Sequence, residues 1–253
     1  DNTITQKAFR NGARLSIAGS NSPAGLASRP IRIVLMDEID RMPMSAGAEG
    51  DPVTLATRRT ANFFNRKICL VSTPTVKTES RIEAAFEESD QRHYLVSCPA
   101  CGIGQRLDWG RVQWPEADPG GASYHCEHCD RAWTEIERKK SLQTGEWVAS
   151  GEFNGTAGFH LNGLYSPWVD IPELARLFLE SKHTGPEALR VFVNTVLAQT
   201  WEDDAGEQVE HHDLRQRCEE YSAAVPDAEI GVICGSVDVQ ADRLEVLVNG
   251  YSK

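Results

Sequence analysis

Two cysteine pairs constrain the fold of this 253-residue chain more tightly than any other feature. Cys98 and Cys101 form one Cys-x-x-Cys pair, Cys126 and Cys129 form the other, and 24 residues separate the two pairs. Each pair can present two thiolates to one tetrahedral zinc ion, and a site closed by four thiolates is typical of structural zinc. Disulfides and redox-active dithiols are the competing interpretations, but nothing marks the chain as secreted, and paired spacing of this kind favours zinc.

The residue that follows each pair supports the same interpretation. Gly102 can adopt the left-handed backbone conformation that a tight turn after the first pair requires. Asp130, after the second pair, belongs to the few non-glycine residue types that tolerate this conformation. If the residues between the pairs form a hairpin, segment 94–140 is a zinc ribbon.

The composition is that of an ordinary globular protein, with 40% hydrophobic and 25% charged residues, and it excludes disordered, collagen-like and disulfide-scaffold classes. Apolar runs are far shorter than the roughly 20 residues of a membrane helix, so we expect no membrane association. The net charge of −11 is concentrated in residues 202–253, which carry 4 basic and 13 acidic residues. Residues 1–93 carry 13 basic and 11 acidic residues, so the charge leaves a nucleic-acid partner possible.

The first third of the chain has the pattern of an α/β sheet. The apolar run 31–36 is rich in Ile and Val, and a second apolar run covers 67–72. Both runs predict strands buried on both faces. Between them, Asp51 followed by Pro52 predicts the start of a helix. A capping box beginning at Ser80 predicts a second helix. Strands that alternate with helices favour a parallel sheet.

The C-terminal half has a different pattern. Apolar residues recur at helical spacing over 171–183 and again over 186–199, which predicts two helices. Residues 202–229 are acidic and polar and predict a linker or an exposed segment. Residues 229–251 predict two strands with a turn at 240–242.

The strand-like run 32–36 ends at two adjacent carboxylates, Asp37 and Glu38. In P-loop NTPases such a pair forms the Walker B element, in which the Asp helps to hold Mg²⁺ and the Glu orients or deprotonates the attacking water. A strand that ends in solvated charge explains this run equally well. Ser72 and Thr73 follow the next strand, where hydroxyls can sense a γ-phosphate, although a plain strand-to-loop transition also explains them.

Two further observations bear on this interpretation. The sequence contains no Gly-x-x-x-x-Gly-Lys-Ser/Thr motif, and the glycine- and serine-bearing run 19–25 lacks the lysine that binds the β- and γ-phosphates. Because this motif precedes Walker B in P-loop folds, its absence fits an N-terminal truncation. Asp238 lies at the end of a predicted strand that turns back in a hairpin. Two-metal nucleases of the RNase H type use such an Asp on their first strand. An Asp at a hairpin turn is also common without any such role.

Taken together, these motifs resemble the large subunit of lambda-type (GpA family) phage terminases, over nearly the whole chain. The resemblance rests on Asn21-Ser-Pro-Ala, Leu26-Ala-Ser-Arg29-Pro, Leu35-Met-Asp-Glu-Ile-Asp-Arg41, Glu49-Gly-Asp-Pro52, Ser72-Thr-Pro-Thr75, Arg81-Ile-Glu-Ala-Ala-Phe-Glu-Glu-Ser-Asp90, Cys98-Pro-Ala-Cys-Gly102, Gly158-Phe-His-Leu-Asn162, Leu164-Tyr-Ser-Pro-Trp168, Phe192-Val-Asn-Thr195 and Val237-Asp-Val-Gln-Ala-Asp-Arg-Leu-Glu245.

The resemblance implies an ATP-driven motor that moves viral DNA into the prohead and a nuclease that cuts concatemeric DNA. Asp37 would hold Mg²⁺ with ATP, Glu38 would be the catalytic carboxylate, and Ser72 and Thr73 would couple hydrolysis to DNA movement. Asp238 would be the first metal-binding Asp of the nuclease. The implied partners are double-stranded DNA, the terminase small subunit, the portal protein and further copies of the large subunit, in the host cytoplasm.

The implied fold is α/β: a partial P-loop NTPase-type parallel sheet, an inserted zinc ribbon, a helical linker and the first strands of an RNase H-like nuclease domain. We assign 1–93 to the C-terminal part of the ATPase domain, 94–140 to the zinc ribbon, 141–228 to a helical and acidic linker, and 229–253 to the start of the nuclease domain. On this interpretation the chain is an internal fragment that by itself neither turns over ATP efficiently nor cuts DNA.

A non-enzymatic zinc-ribbon module that binds nucleic acid or protein is the alternative. Aromatic residues in and beside the ribbon could stack on bases, namely Trp109, Trp114, Tyr124 and Trp133. Aromatic side chains in a small ribbon more often complete its core. Segment 94–140 also carries 6 basic and 7 acidic residues, a balance that weakens this alternative.

Overall fold

The computed structural model describes residues 3–27, 29–116, 118–202, 230–239 and 244–252. The chain divides into two compact units, residues 1–203 and residues 204–253. Within the described residues the fold is a mixed α/β arrangement of several small sheets, which confirms the predicted class at that level. No described helix has the length and apolarity needed to cross a bilayer.

The first unit begins with a short hairpin and a parallel strand pair. The hairpin comprises β1 (Gln6–Ala8) and β2 (Arg14–Ser16), and a short helix α1 (Pro23–Ala27) follows. β3 (Ile33–Asp37) and β4 (Lys67–Val71) pair in parallel, and helix α2 (Pro52–Arg58) lies between them in the chain. The α2 start is the predicted one, because the Asp51 carboxylate accepts a hydrogen bond from the Thr54 amide at 2.8 Å.

The prediction that β3 and β4 are buried on both faces is wrong for the described fold. On β3 only Val34 and Met36 are buried, whereas Leu35 is 73% exposed. The buried pair packs with Ile39 and Ala56 on the side covered by α2, and the opposite face of the two-stranded sheet has no cover among the described residues. An apolar run does not reveal how many of its faces a neighbour covers.

Helix α3 (Arg81–Glu87) begins where the sequence predicted, but its cap differs. The Ser80 hydroxyl accepts a hydrogen bond from the Glu83 amide at 3.1 Å. The Glu83 carboxylate, however, accepts a hydrogen bond from the Thr200 hydroxyl at 2.7 Å instead of returning to the Ser80 amide. A tertiary contact therefore replaces one half of the predicted capping box.

Short strands and one helix make up the middle of the chain. They are β5 (Arg92–Ser97), β6 (Gly104–Gln105), β7 (Val112–Gln113), β8 (Ser123–His125), β9 (Ala132–Trp133), α4 (Glu135–Leu142), β10 (Glu146–Ala149) and β11 (Phe159–His160). β5 lies between β10 and β11 and also pairs with β6, while β7, β8 and β9 form a separate antiparallel sheet. The two cysteine pairs lie in the loops β5–β6 and β8–β9.

Two helices complete the first unit and share its larger core. α5 (Ile171–Thr184) and α6 (Pro186–Thr195) confirm the predicted helices, although α6 ends four residues earlier than expected. Leu174 and Ala175 of α5 pack in the same apolar cluster as Val96 and Tyr124 from the strands beside the cysteine pairs. The cysteine-bearing strands and the following helices therefore have a common core.

The second unit is described as one antiparallel hairpin, formed by β12 (Ile230–Val239) and β13 (Leu244–Ser252), which confirms the two predicted strands. Asp238 lies in β12 and pairs in register with Glu245 of β13. The predicted turn at 240–242 and nearly all of the predicted acidic segment 202–229 lie outside the described residues.

Candidate active site and metal centre

The carboxyl ends of β3 and β4 form one edge, and the predicted site residues Asp37, Glu38 and Ser72 lie along it. The parallel register places Asp37 opposite Val71, so Glu38 and Ser72 are the first residues beyond the two strands. Asp37 and Glu38 are exposed, and the Glu38 carboxylate lies 3.4 Å from the Arg41 guanidinium. Ligands of open α/β sheets bind beyond this end of the strands. The strand register therefore places these residues at one edge, and their roles in catalysis stay a prediction.

The backbone of Glu38 is strained. Its φ of 54° and ψ of 47° lie in the left-handed region, which costs a non-glycine residue roughly 1–2 kcal/mol. Such strain persists only where the surrounding structure fixes it, and it concentrates at functional sites. The turn at Glu38 redirects the chain from the strand into the 3₁₀ turn Ile39–Arg41 and leaves two consecutive carboxylates at the sheet edge.

The loop that follows β4, residues 72–77, is hydrogen-bonded to this turn. The Ser72 hydroxyl accepts a hydrogen bond from the Asp40 amide at 3.2 Å and donates one to the Thr73 carbonyl at 2.9 Å. The Thr75 hydroxyl donates to the Asp40 carboxylate at 3.1 Å. The loop that begins with the predicted site residues Ser72 and Thr73 is therefore tied to the turn that follows Glu38.

Asp40 and Arg81 organise the edge, and no local motif pointed to a role for either residue. The second carboxylate oxygen of Asp40 accepts a hydrogen bond from the Ile82 amide at the start of α3 at 2.8 Å. The Arg81 guanidinium donates to the carbonyls of Ile39, Met42 and Pro43 at 2.9–3.1 Å and pairs with the Asp51 carboxylate at 3.2 Å. These partners are tens of residues apart in sequence, so no local spacing reveals them.

The four predicted zinc ligands form one cluster. The sulfur atoms of Cys98, Cys101, Cys126 and Cys129 all lie within 4.8 Å of one another, and the Cys98–Cys129 and Cys101–Cys126 sulfurs are each 3.8 Å apart. A disulfide requires about 2.05 Å, so these sulfurs are not bonded to each other. Four sulfurs placed tetrahedrally at about 2.3 Å from one ion would be about 3.8 Å apart. The cluster could therefore hold a metal ion.

Hydrogen bonds to sulfur favour the thiolate form at Cys126. Burial raises the pKa of this thiol, but the amides of Cys129 and His128 and the side-chain amide of Gln105, at 3.4–3.5 Å, outweigh burial and lower the pKa to about 6. Thiolates are the form that binds metal. Gly102 and Asp130 have φ values of 74° and 58°, which confirms the predicted left-handed turns after both pairs.

The aromatic residues of segment 94–140 that could have stacked on bases pack in or against the core. Tyr124 is 1% exposed and Trp133 is 3% exposed, and their rings contact each other at 5.1 Å between centroids. The Trp109 ring packs against the Phe178 ring of α5 at 5.3 Å. Rings in these positions are not available to stack on bases, so the structure does not favour the alternative of a nucleic-acid-binding ribbon.

Comparison with known proteins gives the family. The model of the phage terminase large subunit gpA, ATPase domain, matches residues 1–147, and the model of the terminase large subunit gpA, endonuclease domain, matches residues 156–253. The chain belongs to the gpA family of phage terminase large subunits. No solved structure matches it.

Two curated terminase large subunits show the extent of the match. The protein of Enterobacteria phage P21 is 29% identical over 276 residues, and that of Escherichia phage lambda is 30% identical over 276 residues. The matches cover 100% and 99% of this chain but 43% of each relative. The chain thus spans less than half the length of these terminases.

The family ranges divide the described features between two domains. The carboxylate edge and the cysteine cluster both lie in the range matched by the terminase ATPase domain. Helices α5 and α6 and the β12–β13 hairpin lie in the range matched by the endonuclease domain. Asp238 is therefore in the endonuclease match, in a different unit from Asp37 and Glu38.

Proposed function

We propose that this terminase chain carries the hydrolytic edge of an ATP-driven DNA-packaging motor. The single observation that supports it most is the meeting of Asp37, Glu38 and Ser72 at the carboxyl ends of two parallel strands in a chain that matches the terminase ATPase domain. We assign this strand pair to a P-loop NTPase-type sheet. Its partners in this role are double-stranded DNA, the small subunit, the portal and further large subunits.

The residues at the edge fit the groups that ATP hydrolysis needs. Asp37 offers an exposed carboxylate, a ligand type that suits Mg²⁺, and Mg²⁺ neutralises charge on the phosphates during phosphoryl transfer. Glu38 would orient the attacking water and accept its proton. Ser72 and Thr73 would sense the γ-phosphate and pass the signal through the loop that they begin.

Steady-state ATPase measurements on the full-length large subunit that contains this sequence test the proposal. We expect Glu38→Gln to lower kcat by about 100-fold or more, because a positioned general base contributes about 10²–10⁴-fold. Glu88→Gln is the matched control, since Glu88 is an exposed carboxylate at the far end of α3. Equal activities of the two variants would contradict the assignment.

We also propose that the cysteine cluster holds structural zinc and that segment 94–140 is a zinc ribbon. Four thiolates close the coordination shell, so no position remains for a reacting water. The sulfur spacing and the hydrogen bonds donated to Cys126 support this identity. Metal analysis of the purified chain should give one zinc per chain, and its absence from a folded chain would overturn the proposal.

For the endonuclease match we propose an RNase H-like domain in which Asp238 binds a catalytic Mg²⁺. The support is the position of Asp238 in β12 within the endonuclease match. In the full-length protein, Asp238→Asn should abolish cutting of concatemeric DNA and leave ATP hydrolysis within about twofold of wild type. Cutting at the wild-type rate would refute this role, and the retained ATPase shows that the variant is folded. The domain boundaries given above remain a prediction.

A further inference from the structure

A hydrogen-bonded junction joins the loop after β4 to residues 194–202, which lie in the endonuclease match. The Thr75 carbonyl accepts hydrogen bonds from the Asn194 side-chain amide at 2.7 Å and from the Trp201 backbone amide at 2.8 Å. The Lys77 amide in turn donates to the Trp201 carbonyl at 2.9 Å. Residues 75–77 and 201 are thus paired like neighbouring strands, with Val76 opposite Trp201.

Asn194 is the buried anchor of this junction. It is 6% exposed, and its amide nitrogen also donates to the Gln199 carbonyl at 2.9 Å. Both hydrogens of the amide are therefore used, one for the loop after β4 and one for the segment that leads to Trp201. A carboxylate in the same place would face two carbonyl acceptors and could donate to neither.

The loop that Asn194 holds is the same loop that faces the carboxylate edge. The Thr75 hydroxyl donates a hydrogen bond to the Asp40 carboxylate, in the 3₁₀ turn that comes after Glu38. The Thr75 carbonyl accepts a hydrogen bond from the Asn194 side-chain amide. A continuous chain of contacts therefore runs from the turn after Glu38, through Asp40 and Thr75, to Asn194. Two side-chain pairs also join the same segments: Lys77 with Glu202 on the surface, and Thr200 with Glu83 in a partly buried position.

We propose that Asn194 is a positioning residue of the ATPase site, which acts through Thr75 to set the loop after β4 against Asp37 and Glu38. The inference rests on the proposed ATPase function. It assigns to the endonuclease-matched segment a part in ATP hydrolysis, so that this segment senses the state of the hydrolytic edge through one buried amide.

The test uses Asn194→Asp in the full-length large subunit, with Thr195→Val as the matched control. Asn194→Asp keeps the size of the side chain and removes both donors. Thr195 is the next residue, is exposed, and its hydroxyl donates to the Val191 carbonyl of its own helix at 2.6 Å. We expect kcat for ATP to fall at least 10-fold in Asn194→Asp with KM within threefold of wild type, and no change in Thr195→Val.

A double-mutant cycle with Thr75→Val separates positioning from a merely structural effect. Thr75→Val removes the hydrogen bond to Asp40. If Asn194 acts through Thr75, the double variant loses no more activity than the worse single variant, because both changes break the same chain. Losses that multiply, or an Asn194→Asp enzyme within twofold of wild type, would overturn the proposal.

Hydrogen exchange distinguishes failure of this inference from failure of the proposed function. If the wild-type large subunit hydrolyses no ATP, the proposed function fails, whereas the junction is still tested by exchange at the Lys77 and Trp201 amides. Faster exchange at both in Asn194→Asp, with unchanged exchange in β5, supports a junction held by this amide. Unchanged exchange at all of these sites refutes it.

Discussion

Replacing Cys126 by Ser should unfold the cysteine-bearing part of the chain. The hydroxyl is a poor zinc ligand at neutral pH, and the change removes the sulfur that receives three N–H donors. The loops β5–β6 and β8–β9 would then lose their common anchor. The strands that these loops connect are two to six residues long, so they contribute little stability of their own.

The magnitude follows from the proposed zinc ion and from the core beneath the cysteine cluster. Structural zinc in zinc-finger peptides binds with about 10–16 kcal/mol at neutral pH, which is similar in size to the whole unfolding free energy of about 5–15 kcal/mol of a typical domain. The core beneath the site includes Tyr124 and Trp133, and two such side chains bury roughly 300–500 Å². At about 25 cal/mol per Å² their exposure alone costs about 8–12 kcal/mol.

The assay combines zinc content with near-ultraviolet circular dichroism, which reports the packing of the core tryptophans. We expect Cys126→Ser to bind less than a fifth of the zinc of wild type and to lose most of the near-ultraviolet signal. Cys69→Ser is the control, because Cys69 is exposed on β4 and lies outside the cluster. A Cys126→Ser chain with unchanged zinc and an unchanged spectrum would refute the reasoning.

Three further changes test the packing and the electrostatics. Leu174→Ala in α5 should lower the unfolding free energy by about 2–5 kcal/mol in urea titrations, because it leaves a cavity in the shared core, and a loss under about 1 kcal/mol would contradict this. Tyr165→Phe should cost about 1–3 kcal/mol, since the hydroxyl accepts the Leu107 amide and donates to the Tyr94 carbonyl; stability equal to wild type would count against these bonds. Hydrogen bonds from the α4 cap, together with a neighbouring arginine, lower the pKa of Glu137 to about 2. Because the folded pKa lies below the unfolded one, the contribution of Glu137 to stability is present above about pH 4.5 and is lost as the pH falls towards 2. Glu137→Gln should therefore make the melting temperature fall less steeply between pH 4.5 and pH 2. An unchanged fall would refute the lowered pKa.

The features that sequence predicted well are those whose determinants are local. The cysteine pairs and the left-handed turns at Gly102 and Asp130 need only a few neighbouring residues, and so does the Asp51 cap of α2. The edge at Asp37 is also predictable, because parallel strands have their carboxyl ends at the same edge of the sheet. The carboxylates after β3 and the hydroxyls after β4 therefore lie at that edge. Each motif is contained in one short segment, and general rules for zinc sites and for parallel sheets supply the pairing between segments.

The features that sequence missed depend on distant partners. Asp40 joins Thr75 and α3 across 35–42 residues, and Asn194 joins Thr75 across 119 residues. The wrong prediction for β3 has the same cause, because the sequence of an apolar strand does not show which of its faces a neighbour covers, and Leu35 lies on the uncovered face. Long-range contacts of this kind leave no periodic signal in either participating segment.

A packaging assay tests the central claim most directly. Full-length wild-type large subunit, with small subunit, empty proheads, DNA and ATP, is compared with Glu38→Gln by the amount of DNA protected from added nuclease. We predict protected DNA with wild type, at most about a hundredth of that amount with Glu38→Gln, and wild-type protection with Glu88→Gln. Equal protection by wild type and Glu38→Gln would contradict the assignment of the β3–β4 edge as the hydrolytic site of a packaging motor.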